Sequence, residues 1–441
     1  DSFKNYATVI YHVKHDAHYY WYDGMNYPWG EHLVFADGQP LLSNTIKFIH
    51  QNIVDIADYT VAIINMSLLF SLLAAAVILY LLFAQLGVVW WYNLLVSSSL
   101  VMMARQTGKI SGHYGLAHAF VIPLILYLLY WFEKKPTYKL SLTIGIVVFL
   151  VAQLHFYFFG ISIFVIAFYC LFRLMRDFSA ARIFYYFKHL LLQIILPFGL
   201  LQWILSLGGN VTDRPNSPTG FLDFATRWEG VFTSVKFPFW AWVDQRVGIR
   251  SVPSEGVSYV GLVATLFLLV IIIRWLVVFI RSRARKTVFL PVVRRRDRAY
   301  IEAVCFSSFA LLILAHAFPF SIPGLEGLLQ YAGPYKQFRG VGRFTWAFYF
   351  GFNVVVFYSL WWWARRRKAD GAWVSPNIAW GILFAALGLM GYEAYHFSTI
   401  KTITPKTRPE LAPDFAKQDD SWLKYVDLDR YQAVLPLPYY H

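Results

Sequence analysis

The sequence predicts an all-α polytopic membrane protein, a helical bundle whose polar loops gather at one outer face, and three observations lead there. Hydrophobic residues make up 58% of the chain and charged ones only 15%, against roughly a quarter charged in a soluble domain. Mean hydropathy is +0.48, which would leave a soluble surface far too apolar. The apolar residues run continuously rather than in alternation, and of the two structures that satisfy their own backbone in lipid, the helix and the closed barrel, only the barrel alternates.

A span needs about 20 apolar residues. Ten runs qualify: 59–84, 88–104, 117–132, 140–155, 160–175, 184–206, 257–280, 299–317, 343–363 and 374–393. The second to fifth are short, and neighbouring protein must bury their ends. The net charge of +14, from 39 basic and 25 acidic residues, could suggest nucleic acid. The cations, however, sit in short runs between apolar stretches, as topology determinants do, so no nucleic-acid partner is expected. Arg281 to Arg298, Arg365 to Lys368, Arg173 to Lys188 and Lys134 to Lys139 all fall on one parity of the ten-span count, which marks them as cytoplasmic. The other parity places residues 1–58, 207–256, 318–342 and the tail on the outer face. The chain thus divides into a first outer segment (1–58), a transmembrane domain (59–393) and the start of an outer C-terminal region (394–441). An outer first segment without a leader calls for a further membrane helix ahead of Asp1. Cys170 and Cys305 both lie in apolar runs, which excludes a disulfide framework and a thiolate metal site.

Polar chemistry collects on the outer parity. The first segment is dense in acids and rings, with Asp1, Asp16, Asp23, Glu31 and Asp37 among His, Tyr and Trp. Sugars stack their apolar faces on aromatics and bond to carboxylates, so this composition suits carbohydrate. The rings alone equally suit an interfacial belt, and each acid taken singly suits a solvated loop. The turn "RQTGKISGHYGLAHAF" brings Arg105, Lys109, His113 and His118 to a membrane edge, where polar groups are costly and often functional. Snorkelling cations and a capping histidine are the plainer account. His155, at the outer end of a span, could likewise simply bond a carbonyl. Lys336, Arg339 and Arg343 lie in "YKQFRGVGRF" on the side where cations are disfavoured, so something anionic should offset them. Arg339 and Arg343 share a face if a helix begins before Arg339, and arginine forks suit phosphate oxygens. Ordinary lipid headgroups would also satisfy them.

The order of these features resembles the GT-C superfamily of membrane glycosyltransferases, and most of all a bacterial branch that carries an Asp-x-x-Lys-Asn start, "MNYPWGEHLVFADGQPLLS", "GHYGL" and "FRGVGRF". The resemblance spans most of the chain. It implies an inverting glycosyltransferase in the bacterial cytoplasmic (inner) membrane with a periplasmic functional face, taking sugar from a polyprenyl-phosphate donor to a glycan, lipid or protein acceptor. Asp1 would be the catalytic base and Asp37 the second acid, with Glu31 helping to orient acceptor or metal. Lys4, Asn5, His32, His113 and His155 would contact substrate, and Lys336, Arg339 and Arg343 the donor phosphate. A divalent metal, Mg or Mn, would sit on Asp1 and Asp37 if one is used. The family pattern often pairs two adjacent acids, whereas Ser2 follows Asp1 here, which leaves metal use open. Two other classes fit the same residues: a flippase or transporter of lipid-linked glycans, and a non-catalytic subunit of an envelope assembly. Transporters often show internal repeats; none is visible in the chain, and its polar residues favour one face.

Overall fold

The computed structural model describes residues 2–26, 28–207, 219–281, 293–365 and 375–400. Asp1, much of the basic loops and the tail from 401 lie outside the described residues. Each of the ten apolar runs forms a helix: α3 (Thr60–Gln85), α4 (Trp90–Met103), α5 (Val121–Lys134), α6 (Tyr138–Ala152), α7 (Phe156–Arg176), α8 and α9 (Ala180–Leu190 and Leu196–Ser206, joined by one wide turn), α12 (Leu262–Arg281), α13 (Arg298–Ala315), α14 (Thr345–Ala364) and α15 (Pro376–Ile400). Seven of the helical segments are long and apolar enough to cross a membrane. The shortfall against ten is physical. The 14 residues of α4 reach about 21 Å at 1.5 Å per residue, less than the roughly 30 Å hydrocarbon core. Helix α6, with 15 residues, is barely longer, and α4 instead packs between α3 and α15.

The bundle is built around α14. Of the apolar window in Val341–Ala364, 94% is buried inside the protein, against 33% for Ala57–Gln85. A helix apolar all round belongs in the interior, whereas α3 turns Leu69, Phe70, Leu73 and Val77 outward. Lipid supplies no hydrophobic drive between helices, so close contact and hydrogen bonds must hold them. At Gly351 a Cβ would lie only 2.0 Å from Ser308 Oγ, so glycine lets α13 and α14 approach. Buried tyrosines pin neighbours through backbone carbonyls: Tyr92 donates to Phe357 O at 2.8 Å, Tyr349 to Leu100 O at 2.6 Å and Tyr300 to Leu126 O at 2.9 Å.

The first segment is more ordered than a polar loop. It holds α1 (Ser2–Lys14), a two-residue antiparallel pairing of β1 (Trp21–Tyr22) with β2 (Glu31–His32), and α2 (Pro40–Asn52). Val9 and Val13 of α1 meet Ile46 of α2, Ile64 of α3 and Tyr114 in a small core of their own. Two short helices, α10 (Trp228–Phe232) and α11 (Pro238–Val247), lie in the segment before α12.

Successive helices run to and fro between two ends. At one end, Arg105 follows α4, His155 precedes α7 and Arg343 precedes α14; at the other, Leu86 follows α3, Lys134 closes α5 and Asp297 precedes α13. Both ends mix acids with cations: Glu255 meets Lys109 and Arg343 at the first, and Asp297 meets Arg294 and Lys134 at the second.

Candidate functional site

Asp37 occupies a turn that ordinary residues resist. Its φ is 59° and that of Gln39 is 48°, left-handed values that cost a non-glycine residue and recur at functional sites. The turn is held from several sides. The Gly38 N–H donates to Leu33 O at 3.3 Å, Leu41 N–H to Gln153 O at 3.2 Å, and Gln39 Oε1 meets His118 Nε2 at 2.9 Å. Gly115 makes room beside it, since a Cβ there would meet His155 Cδ2 and Leu154 O at 3.1 Å. The Asp37 carboxylate stays 42% exposed, with Lys4 Nζ 3.5 Å from Oδ2 and His155 Nε2 3.9 Å from Oδ1.

His155 is the N-cap of α7: its Nδ1 accepts the Tyr157 N–H at 3.2 Å. That bond leaves the proton of the neutral ring on Nε2, facing Asp37. Burial, reinforced by Arg343 and His113, pushes the imidazole well below its usual range. At neutral pH the contact with Asp37 is therefore a dipole against a charge, and no ion pair forms. His113 is pushed down as well, by burial and then by Lys109. Its electrostatic neighbours include Lys109, Glu255, Arg343 and Asp37, so it joins the Asp37 corner to a second one.

The second corner centres on Glu255, in the turn Ser254–Gly256. Lys109 Nζ lies 2.5 Å from Oε1, Arg343 Nε donates to Oε2 at 2.6 Å, and Arg105 donates to Ser254 O at 3.1 Å. Burial works to raise the Glu255 pKa, but the hydrogen bonds and charges of Arg343 and Lys109 outweigh it and hold the carboxyl at about 2. Burial pushes Lys109 and Arg105 down from their ordinary values. Among the described residues, this corner sets one carboxylate against three cations. The Arg343 guanidinium lies 4.3 Å from the Tyr157 ring centre, Tyr157 accepts the Gly340 N–H, and the His155 and Tyr157 rings are 5.4 Å apart. Arg343, Tyr157, His155, Asp37 and Lys4 thus form one continuous line.

Of the residues picked out from sequence, the structure gathers Lys4, Asp37, His113, His155 and Arg343 here. Asn5 braces the corner, with Nδ2 donating to Gly112 O at 3.2 Å, one residue before His113. Asp1 lies outside the described residues. His32 is taken up in packing: it is buried, Nε2 meets Ile204 O and Nδ1 accepts the Val34 N–H, each at 3.2 Å. Glu31 lies on β2 and accepts from Asn26 Nδ2 at 3.4 Å. Asp16 is also structural, bonded to His12 Nδ1 at 2.6 Å and to the Asp23 N–H at 3.1 Å.

The shared face of Arg339 and Arg343 is corrected. The regular helix starts at Thr345, so Arg339 precedes it and lies over Phe224, 5.8 Å from the ring centre, while Lys336 donates to Gln330 O at 3.3 Å. The anion expected to offset these cations is, for Arg343, a side chain of the same protein. Sequence reasoning passed over Glu255, one of five acids in the loop 207–256, and Tyr157, one aromatic among many; the unbalanced outer cations were the signal of a buried counter-acid.

A divalent metal does not fit what is described. Among the described residues no three His, Cys, Asp or Glu side chains converge, Glu255 is filled by two cations, and Asp37 faces Lys4 and a histidine proton. No step is therefore routed through a metal. No curated protein and no solved structure matches the chain. Residues 1–390 match the family model described as Domain of unknown function (DUF6311), and the chain belongs to that family.

Proposed function

We propose that this protein is a membrane glycosyltransferase of GT-C type, moving a sugar from a polyprenyl-phosphate donor to an envelope glycan, lipid or protein acceptor. In this reading the bundle crosses the bacterial cytoplasmic membrane through its long apolar helices, with the Asp37 end on the periplasmic side. One observation carries it: a half-exposed carboxylate, held in a left-handed turn beside a neutral histidine, adjoins a corner where, among the described residues, three cations meet one carboxylate. A base next to an anion-holding site is the minimum for displacing a phosphate leaving group.

The chemistry follows from the two corners. Asp37 takes the proton of an acceptor hydroxyl as its oxygen attacks the anomeric carbon. The bond from that carbon to the phosphate oxygen breaks, and the configuration inverts. Lipid phosphate leaves with the electron pair, its charge met by Arg343, Lys109 and Arg105 through charge-assisted hydrogen bonds. No separate acid is needed, because the leaving group is already a weak base. Lys4 Nζ, 3.5 Å from Oδ2, and the His155 ring, 3.9 Å from Oδ1, flank the Asp37 carboxylate. By family resemblance Asp1 shares the work of this acid.

The test is purified protein in detergent with polyprenyl-phosphate sugars and a panel of acceptors, following released polyprenyl phosphate. Release that requires both an acceptor and Asp37 supports the enzyme. Lipid-phosphate binding without turnover across the panel would favour a flippase or a scaffold, which would use the same cations.

A further inference from the structure

Outside the two charged corners, the structure has an open cavity of about 400 Å³ lined by His18, Tyr19, Tyr20, Trp21 and Leu207. We propose that this cavity is a carbohydrate subsite that holds an oligosaccharide acceptor by stacking on its rings. The proposal rests on the glycosyltransferase reading for the word acceptor, but the binding itself stands on the cavity alone.

The rings are fixed at their tips and edges. Tyr19 OH donates to Gln51 Oε1 at 3.2 Å and Tyr20 OH to Gln153 Oε1 at 3.1 Å. Trp21 is held by the β1–β2 pairing opposite His32, and Tyr20 stacks on the His32 ring at 5.9 Å. The buried Lys47 clamps the backbone beneath, donating to Asp16 O at 2.7 Å and His18 O at 2.8 Å. Rings fixed in this way lose little conformational entropy when a ligand arrives, which is how Tyr and Trp act in binding surfaces. The cavity is also within the size of small-molecule sites. Aromatic rings with hydroxyls beside the His18 imidazole match a sugar, which has apolar C–H faces and a hydroxyl rim. His32, assigned to substrate contact from sequence, serves here by backing Tyr20.

Position favours an acceptor. Leu207 directly follows α9, so the cavity opens at the end of a long apolar helix. Tyr20 is bonded to Gln153, two residues before His155, and two residues span at most about 7 Å. Neither Asp37 nor His155 lines the cavity, so a ligand that fills it and still offers a hydroxyl to Asp37 is longer than one sugar ring.

Saturation-transfer NMR on the full chain in nanodiscs, with cellotriose, chitotriose and mannotriose as probes, tests this. Transfer to the sugar C–H protons is expected for at least one probe. It should fall at least tenfold in Tyr19→Ala, whose side chain is exposed, and in Trp21→Ala, and persist in Asp37→Asn. No transfer to any trisaccharide at millimolar concentration would overturn the subsite. So would binding that survives both ring substitutions, even if Asp37-dependent turnover upholds the enzyme. Ring-dependent binding without turnover would instead keep the subsite and sink the enzyme.

Discussion

Glu255 and Asp297 are two carboxylates in similar company at opposite ends of the bundle. Glu255 meets Lys109 and Arg343, with Arg105 on the adjoining carbonyl; Asp297 meets Arg294 at 2.7 Å, Arg296 at 3.5 Å and Lys134 at 3.8 Å. The surroundings differ. The Asp297 carboxylate is fully buried, Tyr358 OH donates to it at 3.0 Å, and Arg294 is stacked on Trp362 and bonded to Leu86 O. That end is a closed latch holding the segment before α13 to α3 and α14. The Glu255 corner keeps 13% of its carboxylate exposed and adjoins two neutral histidines and the open Asp37. Charge composition does not separate structure from site; what lies beside the charges does.

Substitution at Asp37 should show the largest effect. Asp37→Asn is expected to lower transfer by about 10² to 10⁴-fold, the range for a general base, with thermal stability within about 0.5 kcal/mol of wild type. A transfer rate equal to wild type would remove Asp37 from the chemistry. Asp297→Asn should behave in the opposite way. Leaving buried cations unpaired costs about 3 to 5 kcal/mol, reduced here to about 2 to 3 because the arginines are part-exposed. Thermal unfolding in detergent would show it, while the folded fraction keeps its activity.

The pH response sharpens the contrast. The Glu255 pKa is held at about 2 against an ordinary 4.5, so its stabilisation is present above pH 4.5 and is lost as pH falls toward 2. Between pH 7 and pH 3 the loss should be about 1 to 2 kcal/mol. Glu255→Gln should flatten that part of the stability curve, and an unchanged acid limb would show that the pair is not coupled to folding. The smallest difference concerns the outer cations. Arg343→Ala should weaken polyprenyl-phosphate binding about tenfold, in line with a lost charge-assisted bond, whereas Lys336→Ala should change it less than about threefold. Equal effects would return Lys336 to the site.

Continuous apolar runs made all ten helices legible, because nothing but a helix suits such a stretch in lipid. Helices α1 and α2 escaped because their buried stripe mixes polar with apolar residues. Asn5, Thr8, Val9, His12 and Val13 share the inner face of α1, a helical spacing that a search for apolar residues does not register. In the site, Asp37 was one of several acids in the first segment, and only the family resemblance singled it out. Glu255 was not singled out, since its partners lie 146 and 88 residues away in the chain, and pairing at that range is a property of the fold. The shared face of Arg339 and Arg343 failed because it depended on where the helix starts, and Gly340 and Gly342 delay that start to Thr345.

The central place of α14 has a consequence for biosynthesis. Synthesis delivers Asp37 early and Glu255 midway, but Arg343, which joins the corners, arrives only with the helix that every other layer must surround. A nascent chain ending before residue 338 would carry both acids without that cation. The corner is therefore expected to assemble only once the bundle closes around α14. Ribosome-bound truncations probed for lipid-phosphate crosslinking should stay silent until α14 has emerged, and crosslinking before then would show that the corner forms without it.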